Sequence, residues 1–289
     1  MRSLVGLFGV ALVLAATGCG GGAAPTDGKT VVAAFYPLAW VAAEVGGPRV
    51  HVVDLTPPGA EPHDLELTPG DVRAIGDADL VLYLGDGFQP SVEKAVEGRR
   101  GPSLDLLAGQ KLHLGPTEGG SSEAVDPHVW LDPTRLATMA TAVGRELDRE
   151  AAAAALAARL RALDRQMKTG LATCRRHEIV TSHAAFGYLA ARYGLQQIAL
   201  TGLSPEVEPS PKDLERVIQE VEKSGATTVF FETLVSSRLA ETIAREAGVR
   251  TATLDPLEGL TPDEAAAGDD YLSVMRANLA TLRKALGCR

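Results

Sequence analysis

The sequence predicts an α/β protein of two lobes with parallel sheets, on three observations. Short apolar runs alternate with helix-compatible stretches in two separate parts of the chain, and strands alternating with helices imply parallel pairing. Between these parts, from about 148 to 173, lies a segment of Ala, Leu, Arg, Asp and Glu with no proline and no glycine before Gly170. At 289 residues, the chain beyond its leader suffices for one large domain or two small ones.

In the first part, Thr30–Ala34 is a short apolar run followed by a helix-like stretch, Leu38–Val45, and Val50–Leu55 is a second strand. Thr68 predicts a helix start at Pro69, because a threonine side chain can accept a backbone N–H and proline suits the first turn. Asp79–Leu84 reads as a buried parallel strand and Pro90–Glu97 as a helix. The first lobe is placed at 30–147.

The segment 148–173 is made of strong helix formers. At ~1.5 Å per residue its helix is roughly 35–40 Å long. It suits a stiff connection between two lobes; an ordinary long helix packed on one domain fits the same composition. The second lobe, 174–289, repeats the rhythm of the first. Glu178–Thr181, Gln197–Leu200, Thr227–Phe231 and Val249–Leu254 read as strands. Ala184–Tyr193, Lys212–Ser224, Ser237–Ala247 and Asp270–Leu286 read as helices.

The N-terminus reads as a targeting segment. Arg2 precedes an apolar stretch from Leu4 to Ala16, too short for a bilayer, which needs ~20 apolar residues, and shaped like a signal peptide. It ends in Ala-Ala-Thr-Gly-Cys. Small residues before a cysteine suit lipoprotein processing, although Ala16 stands where leucine is usual. Residues 1–18 are therefore expected to be removed, Cys19 acylated and held in the membrane, and the Gly-rich 19–29 to act as a flexible tether. An ordinary secretory signal with a stray cysteine is the alternative.

The formal charge of −9 makes nucleic acid a poor partner and is compatible with cations. Only 4% of residues are aromatic, which argues against a sugar-stacking site. With Cys19 lipidated, Cys174 and Cys288 remain. In an oxidising compartment such a pair commonly forms a disulfide. The alternative is that one or both bind metal, and Cys288, beside the last residue, is a poor place for a rigid ligand.

Three of the six histidines carry the functional reading. His63 stands in Glu-Pro-His-Asp beyond a strand, His128 in Asp-Pro-His-Val-Trp, and His183 where strand turns into helix. Asp255 ends another predicted strand. Ligands of open parallel sheets bind at the carboxyl ends of strands, so these four converge if the lobes face each other. Three imidazoles and a carboxylate suit tetrahedral zinc, whereas manganese prefers more oxygen. No CxxC pair or HExxH helix is present, and His51, His113 and His177 read as ordinary polar residues.

The residues also carry a resemblance. Gly-Ala-Glu-Pro-His-Asp-Leu-Glu-Leu-Thr-Pro at 59–69, Asp-Pro-His-Val-Trp-Leu-Asp-Pro at 126–133, Ser-His-Ala-Ala-Phe-Gly-Tyr at 182–188, Gly-Leu-Ser-Pro-Glu at 202–206, Val-Phe-Phe-Glu at 229–232 and Leu-Asp-Pro-Leu at 254–257 occur in this order. Together they resemble the zinc- and manganese-binding lipoproteins of bacterial ABC importers, a family with some members described as adhesins. The resemblance implies two lobes joined by one long rigid helix, with metal in the inter-lobe cleft. It implies ligands His63, His128, His183 and Asp255, and a membrane permease as partner, to which a monomer would deliver. Manganese-type members tend to carry glutamate where His183 stands, which points to Zn2+ over Mn2+. Gly115–Ala124 is short and lacks histidine, so no metal-collecting role is expected of it. Glu61 is a candidate extra ligand or a partner of a ligand histidine; Glu232 and Glu208 are candidates to fix histidine tautomers. The implied location is the extracytoplasmic face of the cell membrane.

Three other functions compete. A metallohydrolase would keep three protein ligands and leave a position for water, with Glu61 as base, but no nucleophile elbow or second metal cluster accompanies it; the chain reads as a binder and not an enzyme. A surface adhesin would use metal structurally, and its loss would impair attachment without changing zinc uptake. Capture of an organic solute leaves the three histidines unexplained.

Overall fold

A computed structural model describes residues 28–117, 123–206 and 210–289. The expected Cys19 anchor, the signal segment and Glu208 lie outside the described residues. The first lobe contains β1 (Lys29–Ala33), α1 (Tyr36–Gly46), β2 (Val50–Asp54), α2 (Pro69–Asp77), β3 (Leu80–Tyr83), α3 (Pro90–Glu97) and β4 (Ser103–Asp105). A two-stranded antiparallel ribbon follows, β5 (Leu114–Pro116) with β6 (Glu123–Val125). Then come α4 (Pro133–Glu146) and α5 (Glu150–Leu171). The second lobe holds β7 (Glu178–Thr181), α6 (Gly187–Tyr193), β8 (Gln196–Ala199), α7 (Pro211–Ser224), β9 (Thr228–Phe231), α8 (Arg238–Glu246), β10 (Arg250–Thr253), α9 (Pro262–Ala267) and α10 (Tyr271–Leu286).

Both four-stranded sheets are parallel. Their strand orders are β2-β1-β3-β4 and β10-β9-β7-β8. Each therefore has a point where successive connections leave in opposite directions, between β1 and β3 and between β7 and β9. Crevices at such points, beyond the carboxyl ends of the strands, are where ligands bind in this architecture. The central strands are apolar because both faces are covered: Val31, Val32 and Ala33 of β1 and Val81 and Leu82 of β3 are fully buried.

Thr68 begins α2 as predicted. Its hydroxyl accepts from the Asp71 N–H, and the Asp71 carboxylate accepts from the Thr68 N–H, a reciprocal cap. Ser210 and Asp213 start α7 in the same way. Against the second sheet, Val217 and Val221 of α7 and Ile243 of α8 close a separate small core with Val180 and Val229. Burying a side chain of this size contributes about 1.5–3 kcal/mol.

Helix α5 has 22 residues, about 33 Å at 1.5 Å per residue. It packs against α1 and α4 and also against α10 and α6 of the second lobe. Arg159 pairs with Glu44 of α1. Asp164 receives two 2.8 Å hydrogen bonds from Arg192 in the second lobe, and Arg192 holds the Asp164 carboxyl below its usual range. One apolar core runs continuously from the first sheet past α5 into the second lobe. Cys174 and Cys288 form a disulfide, which pins the end of α10 beside the end of α5. Among the described residues no helix is long and apolar enough to cross a membrane.

Candidate metal centre

Each histidine singled out in the sequence sits just beyond regular structure. His63 lies in the β2–α2 connection. Its backbone N–H donates to Glu61 Oε1 at 3.0 Å, Phe88 meets its ring edge-on at 4.8 Å between centroids, and Gln89 donates to the preceding carbonyl, Pro62, at 3.1 Å. His128 precedes a tight 3-10 turn, Val129–Leu131. That turn is tied to the second lobe: Trp130 Nε1–H donates to the Pro256 carbonyl at 2.7 Å and the Tyr271 hydroxyl to the Trp130 carbonyl at 2.6 Å. His183 follows β7 at the second sheet's switch point, beside Glu232, which follows β9.

The three rings converge on one carboxylate. Glu258 Oε1 lies 3.3 Å from His63 Nε2, 3.1 Å from His128 Nε2 and 3.2 Å from His183 Nε2. The Nε2 atoms of His128 and His183 are 3.2 Å apart. The four donor atoms all lie within 4.8 Å of one another. A tetrahedron with ~2.0–2.1 Å metal–ligand bonds has edges of about 3.3–3.4 Å; the three Glu258–imidazole separations and the His128–His183 separation match four of its six edges. Glu258 Oε2 and Glu61 Oε2 are buried with no hydrogen-bond partner among the described residues.

Two rings are also held from behind. His128 Nδ1 is 2.7 Å from Asp126 Oδ1 and His183 Nδ1 is 2.7 Å from Glu232 Oε1. A carboxylate at Nδ1 keeps that nitrogen protonated and turns the Nε2 lone pair toward an ion. Glu232, a candidate from the sequence, thus lies behind the His183 ring, and Asp126, which the sequence did not single out, lies behind the His128 ring.

The cluster is electrostatically tense. Burial depresses the His63 imidazole below its ordinary range, with Glu258 opposing. Burial acts the same way on His128 and His183, but there the carboxylates win: Asp126 and Glu258 raise His128, and Glu232 and Glu258 raise His183 well above ordinary histidine. Burial would raise Glu258, yet the facing histidines hold it well below a normal carboxyl. Burial, and then the charge of Glu258, pushes Glu61 up to about 9.

Asp255 is not in this group; Glu258 stands in the place expected for it. Asp255 Oδ1 accepts from the Leu257 N–H at 2.7 Å and Oδ2 from the Thr233 hydroxyl at 3.2 Å, and burial pushes its carboxyl up to about 7. It caps a turn in which Leu257 takes a φ of 56°, a left-handed conformation costly for a residue with a side chain. That turn carries the chain round so that Glu258 reaches the rings. The same loop meets the His63 loop, where Gly59 N–H donates to the Leu260 carbonyl at 2.9 Å.

Two α/β lobes with a buried histidine–carboxylate cluster fed from both define a metal-binding protein of the cleft type. The family model of ZnuA, zinc-uptake complex component A, periplasmic, matches residues 31–285, and the chain belongs to that family. It is 34% identical to the high-affinity zinc uptake system protein ZnuA of Bacillus subtilis, over 97% of each chain. It is 36% identical to the zinc-binding protein AdcA of Streptococcus pyogenes over 89% of this chain, but spans only 56% of that relative's length. Among solved structures, the laminin-binding protein Lmb of Streptococcus agalactiae, described as an adhesin with metal-transporting activity, superposes with a TM-score of 0.80 at 30% identity, covering 90% of this chain and 100% of that one. The Zn(II)-bound ZnuA-like domain of Streptococcus pneumoniae AdcA gives 0.75 at 33% identity, covering 90% and 99%.

Proposed function

We propose that this chain is an extracytoplasmic solute-binding protein that captures a divalent transition metal, zinc before manganese, and delivers it to the permease of an ABC importer. The observation that carries this reading is Glu258 Oε1 at 3.1–3.3 Å from three histidine Nε2 atoms. His63, His128, His183 and Glu258 are the ligands, and Glu61, whose Oε2 is buried without a hydrogen-bond partner among the described residues, is an additional donor. Three imidazoles suit zinc better than manganese, which favours carboxylate, carbonyl and water. Four protein donors fill a tetrahedron and keep no position for a reactive water, which supports binding and transfer over hydrolysis. The names of the Bacillus and Streptococcus relatives support zinc as cargo. Acylation of Cys19 would hold the protein, as a monomer, at the outer face of the membrane near its permease.

Two experiments test this. The protein is loaded with equimolar zinc and manganese, dialysed and analysed for metal; one zinc per chain with manganese excluded is the expected result, and manganese retention refutes the metal assignment. Labelling cells with a radioactive fatty acid should mark the protein and fail to mark Cys19→Ser; equal labelling refutes the anchor.

A further inference from the structure

The two sides of the metal centre also meet at a point that supplies no ligand. Asp126 uses one oxygen, Oδ1, for both the His128 N–H, at 3.0 Å, and His128 Nδ1, at 2.7 Å. Its other oxygen faces Gly187, the first residue of α6: a Cβ built on Gly187 would lie 2.8 Å from Asp126 Oδ2, closer than real Cβ contacts come. Gly187 follows His183 by four residues, so the carboxylate behind one donor ring rests on the helix that begins beside another.

Nothing in the backbone asks for glycine there. Its φ is −57° and its ψ −46°, ordinary helical values, and glycine is among the poorest helix formers. The adjacent Tyr188 fixes the same spot. Its hydroxyl donates to the Asp126 carbonyl at 3.1 Å and accepts from the His113 N–H at 2.9 Å. Its ring stacks on His113 at 4.2 Å, and the Arg135 guanidinium lies 4.5 Å from its centroid. Asp126 is thus held by its backbone while its carboxylate is given room by a missing Cβ.

We infer that Gly187 is a positioning residue for metal capture: its lack of a side chain lets Asp126 close on His128 Nδ1, so the second lobe sets the direction of a donor on the approaching chain. This rests on the metal-binding reading above.

The test is zinc affinity of the exported protein as Gly187→Ala, Asp126→Ala and the pair, with histidine 15N NMR of the zinc-free forms. Gly187→Ala should weaken zinc by about 10- to 100-fold, the loss typical for a partner behind a ligand histidine, and shift the His128 nitrogens. In the Asp126→Ala background it should cost nothing further. Gly170→Ala serves as control: its Cβ would meet Leu279 at 2.9 Å, between α5 and α10, and it should leave the His128 nitrogens unmoved. Unfolding of Gly187→Ala that Asp126→Ala relieves would place the conflict at Asp126; unrelieved unfolding overturns the inference. Unchanged affinity in Gly187→Ala, or an added loss in the pair, also overturns it while zinc on the unsubstituted protein leaves the function standing. No zinc on the unsubstituted protein overturns both.

Discussion

Glu258 Oε1 lies 3.2 Å from His183 Nε2, on the opposite side of the ring from Glu232, whose Oε1 is 2.7 Å from Nδ1. One imidazole is thus clamped between two carboxylates with different duties. In the proposed site Glu232 would orient the ring and Glu258 would share the ion. Glu258→Gln should weaken zinc binding by at least ~10-fold, since a ligand outranks an orienting partner. Asp255→Asn should change affinity less than Glu258→Gln, because Asp255 supports a turn. Calorimetric titration of the two variants separates them, and the reverse ranking would return Asp255 to the site.

Glu232→Gln keeps the shape but allows the wrong tautomer at His183. Zinc affinity should fall by about 10- to 100-fold, with stoichiometry unchanged at one. Competition against a chromogenic chelator reads this directly.

The fold was legible where short-range signals and burial agree. Pro90–Glu97 and Glu178–Thr181 fall at the predicted residues, because Pro marks one start and an apolar run fixes the other. Helix α4 was not read. Its Thr138, Thr141 and Gly144 are weak helix formers, and it is helical because Leu136, Met139, Ala140 and Val143 are buried where it packs on α5. The three histidines stood out because each lies in a polar turn near a strand end. Glu258 did not, since its reach depends on the left-handed Leu257, a conformation nothing in Leu-Asp-Pro-Leu-Glu announces. Asp126 was visible in its motif, but its hold on His128 needed coordinates.

Acid should release the metal, and earlier than an ordinary histidine site would. His128 and His183 have raised pKa values, so zinc must displace protons still bound above ~6.5. Affinity should fall as pH drops toward and through 6.5, with net proton release at pH 7. Calorimetry in buffers of different ionisation enthalpy measures the release; buffer-independent heats would contradict it.

The zinc-free protein obeys the linked rule. The raised histidines contribute stability that is full below their unfolded pKa of ~6.5 and lost as pH rises through their folded values. The lowered Glu258 contributes stability that is present above ~4.3 and lost as pH falls through its folded value. Taken by themselves, these two histidines and Glu258 stabilise the zinc-free protein most between about pH 4.3 and 6.5, while the lowered His63 and the raised Glu61 act against them there. Thermal melts of the wild type minus those of Glu258→Gln should show the difference shrinking on either side of that window.

Removing the disulfide should cost stability and spare the site. Cys174 and Cys288 are 114 residues apart, and closing a loop of that size is worth about 4–5 kcal/mol on the chain-entropy model. A Cys174→Ser/Cys288→Ser pair should lower the melting temperature yet bind zinc with unchanged stoichiometry. Loss of zinc in that pair would bring the cysteines back as ligands.

On the proposed function, four side chains from both lobes hold one zinc. Titration calorimetry with metal analysis, on the exported protein beside His63→Ala, His183→Ala and Glu258→Ala, tests it most directly. One zinc per chain in the wild type and a large loss of affinity in every variant are expected. Stoichiometric binding that survives all three substitutions at wild-type affinity would contradict it.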